Sequence, residues 1–201
     1  MKREIIAILR GIRPEEARSI GEVLIEAGIS TIEVPLNSPN PLESISILVD
    51  AFGDDVAIGA GTVLSAQDVA KVAHVGGRLI VSPDCNPDVI TATKEAGLDS
   101  YPGVATPSEC FSALRHGADG LKFFPSFLIG IEGYKAISAV LPNGTKSYAV
   151  GGAGPDNFQS WLNAGITGFG IGSAIYKPGD SSQTVKTKAQ AIVAAYDAAM
   201  T

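Results

Sequence analysis

"STIEVPLNSPNPLESISILVDAFG", residues 30–53, holds the unit from which the rest of the chain is built. Its first part, "STIEVPL" (30–36), is rich in β-branched residues and alternates as a strand does. That alternation puts Ile32, Val34 and Leu36 on one face and Glu33 on the other. A turn of Asn, Ser and Pro follows, and "PLESISILVDAFG" then opens on proline and stops at glycine, as helices do. One strand, a short polar turn and one helix make a βα unit.

The same unit recurs in both directions along the chain. Strands are predicted at "IIAILR" (5–10), "VAIGAGT" (56–62), "RLIVSP" (78–83), "DSYPGV" (99–104), "GLKFFP" (120–125), "KSYAVGG" (146–152) and "GFGIGS" (168–173). Helical segments lie between them: 14–28, 65–77, 86–97, 106–117, 131–142 and 155–165, with a terminal one over 184–199. Ala27-Gly28, Ala96-Gly97, His116-Gly117 and Ala164-Gly165 mark helix stops. Eight strand–helix units in 201 residues approach the shortest chain that closes a (β/α)₈ TIM barrel. An open doubly wound sheet is the rival, but it needs fewer strands and has no reason for eight even ones. No linker or shift of composition divides the chain, so residues 1–201 read as a single α/β barrel domain.

Composition narrows the function. The chain is 45% hydrophobic and 18% charged, enough for one large core. A net charge of −6 without basic clusters argues against nucleic acid as a partner. No apolar run approaches the ~20 residues that span a bilayer, and the N-terminal "MKREIIAILRG" is interrupted by Arg10 and lacks a cleavage site, so neither membrane nor export is expected. Cys85 and Cys110 are too few for a disulfide framework and lack zinc spacing, which leaves a reducing cytoplasm as the default. His74 and His116 sit near helix ends without acidic partners, so no metal is expected. Trp161 fits a helix face packed on the barrel or on another subunit.

Barrel active sites form at the C-terminal ends of the strands. Alternation puts Arg10 on the face of Ile6 and Ile8, and Lys122 on the face of Phe124 with Leu121 and Phe123 opposite. Arg10, Glu33 and Lys122 thus converge from three strands on one barrel mouth. A lysine among apolar neighbours loses solvation in its charged form, and its pKa falls from about 10.4. Its neutral amine can then attack a carbonyl and form a Schiff base, with Glu33 moving protons. A buried Lys–Glu ion pair that merely spans the interior explains the same pattern.

Gly151 and Gly152 end the seventh strand, and Gly172 and Ser173 the eighth. Phosphate sites of such barrels use these loops, where glycine frees backbone N–H groups and a helix start adds positive potential; tight turns also need glycine. Thr62 is placed to offer a hydroxyl at the mouth, and Gly59 and Gly61 can relieve crowding inside. Asn37 can point inward or cap the next helix as an Asx turn.

"EVPLNSP", "GAGTVL", "IVSPD", "YPGVATPSE", "LKFFPS", "VGG" and "GIGSAIY" occur in the order found in the 2-keto-3-deoxy-6-phosphogluconate and 6-phosphogalactonate aldolases. From Ile8 to Tyr176 the chain resembles that family. The resemblance implies a class I aldolase, commonly a homotrimer and needing no metal or other cofactor. Such an enzyme splits a phosphorylated sugar acid into pyruvate and glyceraldehyde 3-phosphate. It also implies Lys122 as the Schiff-base residue and Glu33 as the proton shuttle. Arg10 and Thr62 would be the carboxylate contacts, with Gly151, Gly152, Gly172 and Ser173 as the phosphate cradle. Gluconate enzymes commonly carry "PTGG" and "TLRT" where this chain has "AVGG" and "PLNS". Val150 and Asn37 therefore look like the galactonate branch, with preference between the C4 epimers rather than exclusion. Two readings of another kind are a phosphosugar isomerase with Glu33 as base, and a binding domain without turnover.

Overall fold

The computed structural model describes residues 3–201; Met1 and Lys2, the basic start of the N-terminal run, lie outside the described residues. The chain runs β1 (Ile5–Ile8), α1 (Pro14–Glu26), β2 (Thr31–Pro35), α2 (Pro41–Phe52), β3 (Ala57–Gly61), α3 (Ala66–His74), β4 (Leu79–Val81), α4 (Pro87–Glu95), β5 (Asp99–Tyr101) and β6 (Gly103–Val104). It continues through α5 (Pro107–Arg115), β7 (Leu121–Phe123), α6 (Ser126–Ser138), β8 (Ser147–Val150), α7 (Phe158–Asn163), β9 (Gly168–Ile171) and α8 (Ser182–Ala199).

All strand pairs are parallel, in the order β5-β4-β3-β2-β1-β9-β8-β7-β6. The two ends of that order are consecutive in the chain. They are halves of the predicted fifth strand, which Pro102 divides because it has no N–H to give to a ladder. Its flanks still bond to both neighbours: Ser82 N–H donates to the Tyr101 carbonyl at 3.2 Å and Lys122 N–H to the Pro102 carbonyl at 2.9 Å. The sheet thus comes round on itself, and the molecule is a TIM-type barrel in one domain.

Alternation along each strand sorts two cores. Ile5, Ala7, Ile32, Val34, Ile58, Ala60, Leu121 and Phe123 face outward into the layer beneath the helices. Ile6, Ile8, Tyr148 and Val150 face inward and pack with Tyr101 and Phe124. A strand buried on both faces cannot slip by one residue without exchanging these layers, so register fixes which side chains enter the barrel.

Proline opens α1, α2, α4 and α5, and Ser65, Asn86, Thr106 and Ser181 accept backbone N–H bonds at the starts of α3, α4, α5 and α8. Two boundaries differ from expectation. Helix α6 starts at Ser126 rather than residue 131 and is broken at Gly130, whose φ is 68°. Helix α7 starts only at Phe158, so no helix begins at the glycine pair of β8. Trp161 is buried on α7, edge-on to Tyr134 at 5.8 Å between ring centroids.

Candidate active site

A cavity of about 190 Å³ opens at the C-terminal ends of the strands, walled by Ile8, Arg10, Glu33, Lys122, Phe124 and Val150 and by the loops after β8 and β9. Beneath it the barrel narrows to about 10 Å³ between Ile6, Val81, Tyr101 and Tyr148. A larger groove of about 540 Å³ lies by the start of α2, but its one lysine, Lys71, pairs with Asp68 at 2.8 Å. Chemistry rather than volume selects the barrel mouth.

Lys122 leaves β7 facing inward and is only 6% exposed. Its Nζ lies 4.6 Å from the centroid of the Phe124 ring, a contact that favours the cation. Burial pulls the other way and lowers the lysine pKa; Glu33 opposes this, and Arg10 adds to it by repulsion. Glu33, on β2, is 2% exposed, and its Oε2 has no hydrogen-bond partner among the described residues. Burial pushes its carboxyl up to about 7, with Lys122 and Arg10 pulling it back. The two groups influence each other through charge, with no hydrogen bond between them. A lysine kept only to neutralise a carboxylate would be held against it, because removing both charges from water is expensive without direct contact. Here both line one cavity, and each is moved toward its neutral form.

Gly61 explains how a carboxylate fits there. A Cβ at this position would overlap the Glu33 carboxyl group, so β3 gives up a side chain where β2 sends one inward. Gly170 plays a similar part on β9, where a Cβ would meet Val150 at 2.7 Å. The floor was not anticipated from sequence. Tyr148 donates to Glu4 Oε2 at 2.9 Å and meets Tyr101 edge-on at 5.4 Å; it is the register partner of Lys122 on the neighbouring strand, and it lines the constriction below the cavity. Alternation alone puts Tyr148 on the inward face with Val150; its partner Glu4 lies distant in sequence.

At the rim, Arg10 Nη1 donates to Asn37 Oδ1 at 2.8 Å, and Gly11 N–H donates to Ser38 Oγ at 2.9 Å. Asn37 therefore touches Arg10 rather than the cavity wall. Thr62, just past β3, has φ 56° and also lies off the wall. Val150 borders both the cavity and the constriction below it. Gly151, Gly152, Gly172 and Ser173 line the opposite side of the mouth. Gly151 and Gly152 have φ of 80° and 94°, which a side chain would resist. Among the described residues, the N–H groups of Gly152, Ala153, Ser173 and Ala174 are engaged by no other protein atom. His116 Nδ1 lies 2.8 Å from the Ser112 carbonyl, away from the mouth. No group of three acidic, histidine or cysteine residues is gathered as metal ligands among the described residues.

A parallel barrel with a desolvated lysine and carboxylate at its mouth gathers a candidate nucleophile and a candidate proton carrier in one cavity. Residues 1–193 match the family model described as "Aldolase: KDPG and KHG aldolase". The chain belongs to this aldolase family and is a carbon–carbon lyase. It is 48% identical over 198 residues to the probable 2-dehydro-3-deoxy-6-phosphogalactonate aldolase of Rhizobium meliloti (strain 1021), covering 98% of this chain and 93% of that one. A solved native KDPGal structure superposes with a TM-score of 0.97 at 44% identity, covering 100% of this chain and 97% of the other. The KDPG aldolase of Legionella pneumophila, solved with pyruvate captured as a covalent carbinolamine intermediate, gives a TM-score of 0.85 at 29% identity, covering 95% and 94%.

Proposed function

We propose that the protein is a class I aldolase that cleaves 2-dehydro-3-deoxy-6-phosphogalactonate to pyruvate and glyceraldehyde 3-phosphate. The observation that carries this reading is the buried amine of Lys122 in the same cavity as the buried carboxyl of Glu33. The name of the Rhizobium meliloti relative favours the substrate. The carbinolamine captured in the Legionella pneumophila enzyme favours the covalent route.

Arg10 and Thr62 hold the substrate carboxylate, and the loops after β8 and β9 hold the phosphate, so the carbon chain is stretched across the cavity. Thr62 must swing or meet the carboxylate above the wall to do so. The neutral Lys122 amine attacks C2 to give a carbinolamine, which loses water to form an iminium, Glu33 relaying the protons. Glu33 as carboxylate then takes the C4 hydroxyl proton. The C3–C4 bond breaks, its electron pair passes to the iminium nitrogen through an enamine, and C4 becomes the aldehyde. Protonation of the enamine at C3 and addition of water release pyruvate and restore the amine.

Val150 borders the site without a hydroxyl to offer. Loss of one hydrogen bond of about 1 kcal/mol gives preference, not exclusion, so the gluconate epimer is turned over less well. The protein works as a homotrimer in the cytoplasm. Exposed Phe127, Leu128 and Leu64 favour assembly, and two free cysteines favour a reducing compartment. No helix among the described residues is long and apolar enough to cross a membrane. Kinetics on the two C4 epimers side by side test the substrate reading: a kcat/KM equal for both, or higher for the gluconate epimer, rejects it. An isomerase would form no adduct with pyruvate.

A further inference from the structure

Two carbonyl groups in the loop after β8 are tied away from the mouth. The Gly151 carbonyl accepts from Ser126 Oγ at 2.6 Å and from Phe127 N–H at 3.0 Å. The Gly152 carbonyl accepts from Asn157 Nδ2 at 2.8 Å. The same amide uses its Oδ1 to accept from Gly154 N–H at 3.0 Å, so one side chain clasps both limbs of the turn. A Cβ at Gly152 would meet Phe127 Cβ at 2.8 Å, which shows how closely the loop is pressed onto the start of α6.

Peptide planes are stiff, so fixing a carbonyl also fixes the amide hydrogens of its neighbours. The Gly151 carbonyl shares its plane with the N–H of Gly152, and the Gly152 carbonyl shares its plane with the N–H of Ala153. Neither of those N–H groups has a protein acceptor among the described residues. Either carbonyl turned inward would present negative charge to an anion in place of a donor.

We infer that Asn157 and Ser126 are positioning residues for phosphate: they hold the Gly151 and Gly152 peptides so that amide hydrogens, not carbonyl oxygens, face the substrate. Neither needs to touch the phosphate. Ser126 also joins the turn that follows the Lys122 strand to the phosphate loop, linking the two ends of the bound substrate. This rests on the phosphate-cradle reading of the proposed function.

The test compares kcat/KM for the 6-phosphorylated keto acid with that for its unphosphorylated counterpart, in wild type, Asn157→Ala and Asn157→Asp. Because both substrates meet the same enzyme sample, their ratio does not depend on the fraction that folds. The ratio should fall about tenfold in Asn157→Ala, the scale of one or two lost hydrogen bonds. Asn157→Asp keeps the acceptor for Gly154 N–H but puts a second acceptor against the Gly152 carbonyl, and should fall at least as far. A ratio unchanged in both variants overturns the role of Asn157. A wild-type ratio near one would instead reject the phosphate cradle itself.

Discussion

The carboxylate of Glu33 occupies the volume that a methyl group on Gly61 would fill. Strands β2 and β3 are paired in register, Glu33 opposite Gly59 and Pro35 opposite Gly61, so neither can withdraw without breaking the ladder. Gly61→Ala should displace the carboxylate by about an ångström and lower kcat for cleavage by about 100-fold, the scale of a comparable misplacement. Pyruvate should still be trapped on Lys122. Steady-state kinetics of the folded variant check this, and a wild-type kcat would mean that the position of the carboxylate does not matter.

Borohydride added with pyruvate should fix a covalent adduct on Lys122, read as a mass increase on the peptide that carries it. Lys122→Arg should show none, because a guanidinium remains protonated. An adduct on any other lysine would reassign the nucleophile.

Glu33→Gln should keep a measurable part of the trapping while cleavage falls by about 100-fold or more, the usual range for losing a general base. The wild-type rate should rise with pH through about 7, where the buried carboxyl ionises, and the variant should lack that limb. Stability carries the same signature with the opposite sense. A folded-state pKa raised from 4.5 to about 7 means that folding favours the protonated acid. That contribution is full below about 4.5 and is lost as pH rises through 7. The melting temperature of the wild type should therefore decline relative to Glu33→Gln across this window and hold level above it. A difference flat with pH would show that the carboxyl is not held in a desolvated site.

Val150→Thr should shift the ratio of kcat/KM between the two C4 epimers toward the gluconate form by about fivefold, the effect of one added hydrogen bond of about 1 kcal/mol. An unchanged ratio would place the discrimination elsewhere.

Arg10→Ala should raise KM for the keto acid with a smaller effect on kcat, since a carboxylate contact is made in both ground and transition states. A selective loss of kcat would give Arg10 a part in the chemistry instead.

The alternation of "STIEVPL" and "GLKFFP" made the inward paths of Glu33 and Lys122 legible, because a strand has only two faces and the outer one must be apolar. Proline starts and glycine stops made the helices legible for a similarly local reason. What escaped depends on contacts remote in the chain. The split at Pro102 is visible only when both neighbours of the fifth strand are known. The floor joins Tyr148 to Glu4 across 144 residues. Strand position puts Thr62 at the mouth and lets Asn37 point inward, but rim geometry turns Asn37 onto Arg10 and leaves Thr62 off the wall.

The tyrosine floor has a kinetic consequence. With the barrel plugged beneath the lysine, everything that enters or leaves must use one doorway. In the proposed reaction the phosphorylated fragment is held by the loops at that doorway, while the three-carbon fragment stays tethered below. Departure is then ordered: the aldehyde goes first, and the pyruvate behind it follows once the tether is hydrolysed.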